Sequence, residues 1–259
     1  MYDDLFHHVP TFVLVFFRLT GMMIFAPMFG SQNIPKRLKV LMASVLALGV
    51  MPGIAAPPTI PDSSWEVTLA IGGEMVFGIA MGMVLSFVFI AAQWAGEMIG
   101  QQMGINLSEV FDPQFGQGGS LIGGMYFMLT LVVFLCPPIN GHHAMLRGVR
   151  ASFDALPLLS LGVNRPLFDT IIGFFTAATM LAFQLAAPML VTMVVVDLAL
   201  GFIGKTMPQL NIMTMGLSLR AVIGMVVLVI GLMLTAHVIS RSLASSLESV
   251  GGMWKTAFQ

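Results

Sequence analysis

The residues able to bind a metal or move a proton are few, and their spacing excludes most of that chemistry. Asn140-Gly141-His142-His143 and His7-His8 each place two imidazoles side by side. Neighbours on a helix point about 100° apart, whereas one ion is chelated by residues four apart on a shared face. No HExxH, no cysteine pair and no carboxylate cluster completes a set, so no metal site is expected. Asn140-Gly141, behind Pro137-Pro138, reads instead as a turn that starts a helix. Gly116-Gln117-Gly118-Gly119 lacks the Lys-Ser/Thr of a phosphate loop, and neither GxSxG nor a nucleophile–base pair occurs. No catalytic residue and no cofactor are expected, and the chain is not read as an enzyme.

Four ionisable residues sit inside apolar stretches: Arg18, Glu74, Glu97 and Asp197. Charge at such positions is costly and faces either a partner or a wet path. Spread over distant segments, the four make no obvious relay, and pairing across helix contacts is the favoured reading.

The elements that carry these groups are set by composition. Of 259 residues, 57% are hydrophobic and 9% charged, and the mean hydropathy is +0.93. A soluble domain carries about a quarter charged residues, so this chain is read as an integral membrane protein. A net charge of −1 gives no footing for nucleic acid. The single cysteine, Cys136, excludes an intramolecular disulfide, and the 23 methionines read as adaptable packing filler. The acidic opening MYDDLFHH is unlike the basic start of a secretory signal.

Apolar runs fall at 9–29, 38–56, 67–92, 121–139, 167–204 and 221–240. A span needs about 20 residues, so a plain count gives six. The runs at 67–92 and 167–204 are too long for single spans, and the second holds Pro188, so bent or broken helices are expected there. Alternating the segments across a bilayer puts Lys36, Arg37, Lys39, Lys205 and Arg220 on one side, and Arg147, Arg150, Arg165, Arg241 and Lys255 on the other. The positive-inside rule therefore returns a tie, which points to a chain held by other subunits rather than simply threaded through lipid.

Gly78 and Gly82, then Gly96, Gly100 and Gly104, form rows of small residues four apart, the spacing that lets helix backbones approach closely. Between the second row and the next apolar run lies GINLSEVFDPQFGQGGS (104–120), whose glycines and proline oppose helix. Phe111 and Phe115 on this polar insert suit either an ordinary surface loop or a movable obstruction inside a pore.

Three stretches in this order, FRLTGMMIFAPMFGSQNIPKRLKVLMA (17–43), GEMIGQQMGINLSEVFDP (96–113) and NGHHAMLRGVRASFDALP (140–157), resemble the FliR family of flagellar biosynthesis proteins, whose virulence counterparts serve injectisomes. The likeness runs over most of the chain and looks more flagellar than injectisome-like. It implies an all-α integral membrane protein of bent helical hairpins within a helical hetero-oligomer. In that fold a FliP-like part (1–166) precedes a FliQ-like hairpin and tail (167–259). The resemblance further implies a subunit of the export gate of flagellar type III secretion, in the bacterial inner membrane at the flagellar basal body. Its partners would be FliP-like and FliQ-like membrane subunits, an FlhB-like subunit and unfolded protein export substrates. The loop 106–120 would plug the channel through Asn106, Leu107, Glu109, Phe111, Asp112, Pro113, Phe115, Gly116, Gly118 and Gly119, with Met103 near the constriction. The hairpin tip would face the cytoplasmic partner through Lys205, Gln209, Asn211 and Arg220. Against this stands a small-solute transporter acting alone, which calls for inverted repeats and convergent mid-membrane polar groups; no convincing repeat is present.

Overall fold

The computed structural model describes residues 2–27, 29–30, 34–55, 63–105, 120–159, 165–207 and 212–256. All regular structure among them is helical: α1 (Tyr2–Phe25), α2 (Lys36–Val50) with a short 3-10 turn (Met51–Gly53), α3 (Ser64–Met103), α4 (Leu121–Leu135), α5 (Gly141–Ala155), α6 (Arg165–Thr206) and α7 (Ile212–Thr256). Of the expected plug loop 106–120, residues 106–119 fall outside the described residues.

Three helices, not six, are long and apolar enough to cross a membrane among the described residues: Ser64–Met103, Ile171–Thr206 and Met215–Leu247. The other apolar runs are cut short by local chemistry. α2 stops after 15 residues at Pro52-Gly53, and α4 stops after 15 residues ahead of Pro137-Pro138. The expected break in the long runs does not occur. α3 continues for 40 residues and α6 for 42, straight through Pro188. A proline removes one backbone donor from the ladder, and in α6 Pro188 keeps its own carbonyl engaged, accepting from the Thr192 hydroxyl at 2.8 Å.

The chain divides into two compact units. Unit 1 contains residues 1–87, 140–175 and 244–259; unit 2 contains 88–139 and 176–243. The long helices α3, α6 and α7 therefore contribute to both. In unit 1 the core is built from Leu14, Val15, Leu19 and Met22 of α1, Phe77, Met81 and Val84 of α3, and Met145, Val149 and Phe153 of α5. In unit 2, Phe89 of α3 packs against Phe127 and Phe134 of α4 with ring centroids 5.7 and 5.5 Å apart.

Burial differs sharply among the long helices. In their most apolar windows, 72% of α3 residues are buried within the chain, against 28% for α6 and 22% for α7. Ile230 and Met233 on α7 are 75% and 88% exposed. Apolar faces of that extent need lipid or another subunit to cover them.

Candidate functional site

The most elaborately built polar site lies inside unit 1. Arg18, 1% exposed, projects from α1 into the core. Its Nε donates to Glu74 Oε2 on α3 at 2.6 Å. Nη1 donates to the carbonyl oxygens of Ser152 and Leu156 at 3.4 and 3.2 Å, and Nη2 donates to Leu156 O at 3.3 Å. The guanidinium is flanked by the rings of Phe77 and Phe153, 5.0 and 4.3 Å from their centroids. The last carbonyls of a helix have no intrahelical donors and carry the negative end of its dipole. Arg18 therefore caps the C-terminus of α5 while pairing with α3. Glu74 uses its second oxygen to accept from the Leu159 N–H at 3.2 Å, and Leu159 is held in the left-handed region with φ 69°. Both charges are committed to helix contacts, so this site is a clasp joining three elements.

Asp197 and Arg220 pair similarly in unit 2, where Arg220 Nη2 and Asp197 Oδ1 stand 2.6 Å apart with side chains 37% and 43% exposed. Glu97 accepts from Gln93 Nε2 at 3.1 Å, one turn earlier on α3. Pairing across helix contacts thus accounts for Arg18, Glu74 and Asp197, while the hydrogen bond of Glu97 stays within its own helix. Arg220 of the expected hairpin tip is occupied by this bridge. Lys205 is exposed in the last turn of α6, while Gln209 and Asn211 lie outside the described residues.

The glycine rows separate into two roles. A methyl group on Gly78 would strike Arg18 O, and one on Gly82 would strike Met22 O, so α1 and α3 touch backbone to backbone. Gly21 answers from α1 against Met75 O. At Gly96 an added Cβ would lie 2.6 Å from Ile122 O of α4, and Gly100 is buried in α3. Gly104 is different. It has φ 73°, its N–H donates to Gln101 O, and Ile105 N–H donates to Gly100 O at 3.2 Å. That pair of bonds is a Schellman stop, so Gly104 ends α3 instead of extending its packing face. On the other side of the loop, Ser120 caps α4 by accepting from Gly123 N–H at 3.3 Å. The candidate plug is thus bracketed by a helix stop and a helix start. Its ten named residues, Asn106, Leu107, Glu109, Phe111, Asp112, Pro113, Phe115, Gly116, Gly118 and Gly119, lie outside the described residues. Met103, just before it, is 0% exposed and packed on Gly224 of α7.

The rings of His142 and His143 lie with centroids 4.2 Å apart and planes tilted by 42°, and among the described residues no three His, Cys, Asp or Glu side chains gather. Asn140, with φ 44°, begins α5, and its carbonyl accepts from His143 and Ala144, as the Asn-Gly turn predicts.

Residues 9–246 match the family described as bacterial export proteins, family 1. The chain belongs to that family. Among its relatives, the flagellar biosynthetic protein FliR of Bacillus subtilis (strain 168) is 31% identical over 253 residues, covering 95% of this chain and 94% of the relative. FliR of Aquifex aeolicus (strain VF5) is 27% identical over 231 residues, covering 89% and 88%. FliR of Escherichia coli (strain K12) is 28% identical over 207 residues, covering 80% and 78%. The resemblance carried by the three quoted stretches therefore extends over nearly the whole of this FliR-family chain. With three helices of membrane-crossing length and composition, it is a membrane protein of the flagellar export family.

What sequence reasoning missed is the pairing. Arg18 and Glu74 both stand out as charges in apolar runs, but nothing local joins them across 56 positions or points to the Ser152 and Leu156 carbonyls. The row Gly78/Gly82 announced close contact without naming α1.

Proposed function

We propose that this chain is a subunit of the export gate of the flagellar type III secretion apparatus in the bacterial inner membrane. It assembles with FliP-like and FliQ-like membrane subunits and an FlhB-like subunit around a path for unfolded export substrates. The family match over residues 9–246 carries the reading. Its physical support is the exposed apolar surface of α6 and α7, which suits a chain whose faces are covered by other subunits. In this reading residues 167–259 form the FliQ-like hairpin, with Lys205, Gln209, Asn211 and Arg220 near the tip that meets the FlhB-like partner. The loop 106–120 closes the lumen until a substrate displaces it, Phe111 and Phe115 being the occluding groups.

The test is native mass spectrometry of the complex recovered through a tag on this chain, with the neighbouring membrane proteins co-expressed. One copy of the chain carrying several copies of two smaller partners is expected. A monomer or homodimer recovered in mild detergent with those partners present overturns the assignment.

A further inference from the structure

Unit 1 carries a second built feature that the gate reading does not use. α2 and α5 bound an open groove of about 800 Å³ with two unlike walls. The α2 wall is apolar, formed by Val45, Leu46 and Val50 with Gly49 between them. Val45 is 60% exposed, and its neighbours Leu41 and Leu48 continue the same outward face. The α5 wall is cationic. His143, Leu146, Arg147 and Arg150 fall at intervals of three and four, which places them on one face of the helix. The opposite face of α5, with Met145, Val149 and Phe153, is buried in the unit 1 core, so the cationic stripe is fixed toward the groove.

Among the described residues neither arginine has an ion-pair partner, and Asp154, one turn beyond Arg150, forms no pair with it. The Arg150 guanidinium lies over Gly53 of the 3-10 turn, where an added Cβ would come within 3.0 Å of Nη2. The smallness of Gly53 thus leaves Arg150 room beside the end of α2. Two fork-shaped donors three residues apart match the geometry of a phosphate. An apolar wall alongside them matches the chain attached to that phosphate.

We infer that this groove binds an anionic phospholipid, the phosphate held by Arg147 and Arg150 and the first acyl methylenes lying along Val45, Gly49 and Val50. A free anion would gain nothing from the α2 wall, and a zwitterionic lipid brings an ammonium group against two arginines. In a chain with three helices of membrane-crossing length and composition, the anionic amphiphile at hand is lipid, and clustered arginines beside a membrane attract such headgroups.

Gly49 supplies a sensitive probe. A Cβ there would meet nothing within 4 Å, and Gly49 lines the groove, so a side chain begun at this position starts into open space. The full chain, co-purified with its neighbours and stripped of lipid, is titrated with phosphatidylglycerol, with phosphatidylcholine of the same acyl chains, and with inorganic phosphate, bound copies being counted by native mass spectrometry. Phosphatidylglycerol is expected to bind at least about tenfold more tightly than phosphatidylcholine, because the two share the phosphate and only the second sets a quaternary ammonium against Arg147 and Arg150. R147Q/R150Q and, independently, G49F should each abolish that preference, while R147K/R150K keeps part of it. Equal retention of the two lipids, or a preference untouched by both R147Q/R150Q and G49F, overturns the inference. So does inorganic phosphate competing at concentrations equal to the lipid, which marks a phosphate site. Loss of a co-purifying subunit from G49F with lipid binding unchanged overturns it in favour of a protein occupant.

Discussion

Gly78 of α3 sits directly against the carbonyl oxygen of Arg18 on α1, with no room between them for a methyl group. The residue whose side chain clasps three elements therefore has its own backbone seated on a glycine. The two features depend on each other. The guanidinium reaches Glu74 because the helices are in contact, and that contact requires position 78, like Gly21 and Gly82, to have no Cβ.

Gly78→Ala should accordingly force α1 from α3 and destabilise the protein by about 3 kcal/mol, at the upper end of the overpacking range because the obstacle is backbone. Gly49→Ala, whose new methyl meets open space, should be neutral or stabilising by up to about 1 kcal/mol through helix propensity alone. Thermal unfolding of the two variants in one detergent compares them directly, and equal transitions would contradict the contact.

Removing one member of the Arg18–Glu74 pair should cost more than removing both. Glu74→Leu leaves a buried cation without its counter-charge, a loss of about 3–5 kcal/mol. Arg18→Met with Glu74→Leu replaces both by apolar groups and should recover a large part of it. A double variant no more stable than Glu74→Leu would show that the Arg18 bonds to Ser152 O and Leu156 O dominate the clasp.

The Asp197–Arg220 bridge is more than a third exposed on each side and should be weak. Asp197→Asn is expected to change stability by no more than about 1 kcal/mol. If the same substitution reduces recovery of the complex with its neighbours while the isolated chain melts unchanged, Arg220 serves the tip contact proposed for it.

For the loop, Phe111→Ala with Phe115→Ala should raise ion leak and sensitivity to small toxic solutes in cells that assemble the complex normally. Membrane conductance in strains with matched assembly reads this out. Leak at the parental level in a fully assembled complex removes the plug role.

Much of this arrangement is legible in the sequence where the cause is local. Asn140-Gly141 announces a turn because Asn tolerates the left-handed backbone it adopts, and composition alone requires an apolar medium around the helices. Span count was not legible, since six apolar runs look alike until Pro52-Gly53 and Pro137-Pro138 are seen to stop helices after 15 residues. Continuity through Pro188 was hidden for the opposite reason, because a single missing donor in a 42-residue helix does not overcome the packing on either side. Gly104 shares the spacing of a packing row yet ends its helix, a difference that lies in one backbone angle. The pairing of Arg18 with Glu74 depends on which helices meet, and no local pattern carries that.

The interleaving of the two units has a consequence for how the protein is made. Unit 1 joins the first 87 residues to residues 244–259, and Leu247 near the end of α7 packs against the core begun by Leu14 and Val15. The opening helices must therefore wait until residues 244–247 have been synthesised before this neighbour emerges from the ribosome. During that interval α1 and the first half of α3 have an incomplete core, and whatever shields it then, chaperone or lipid, acts on the nascent chain before the export family's machinery exists to be assembled.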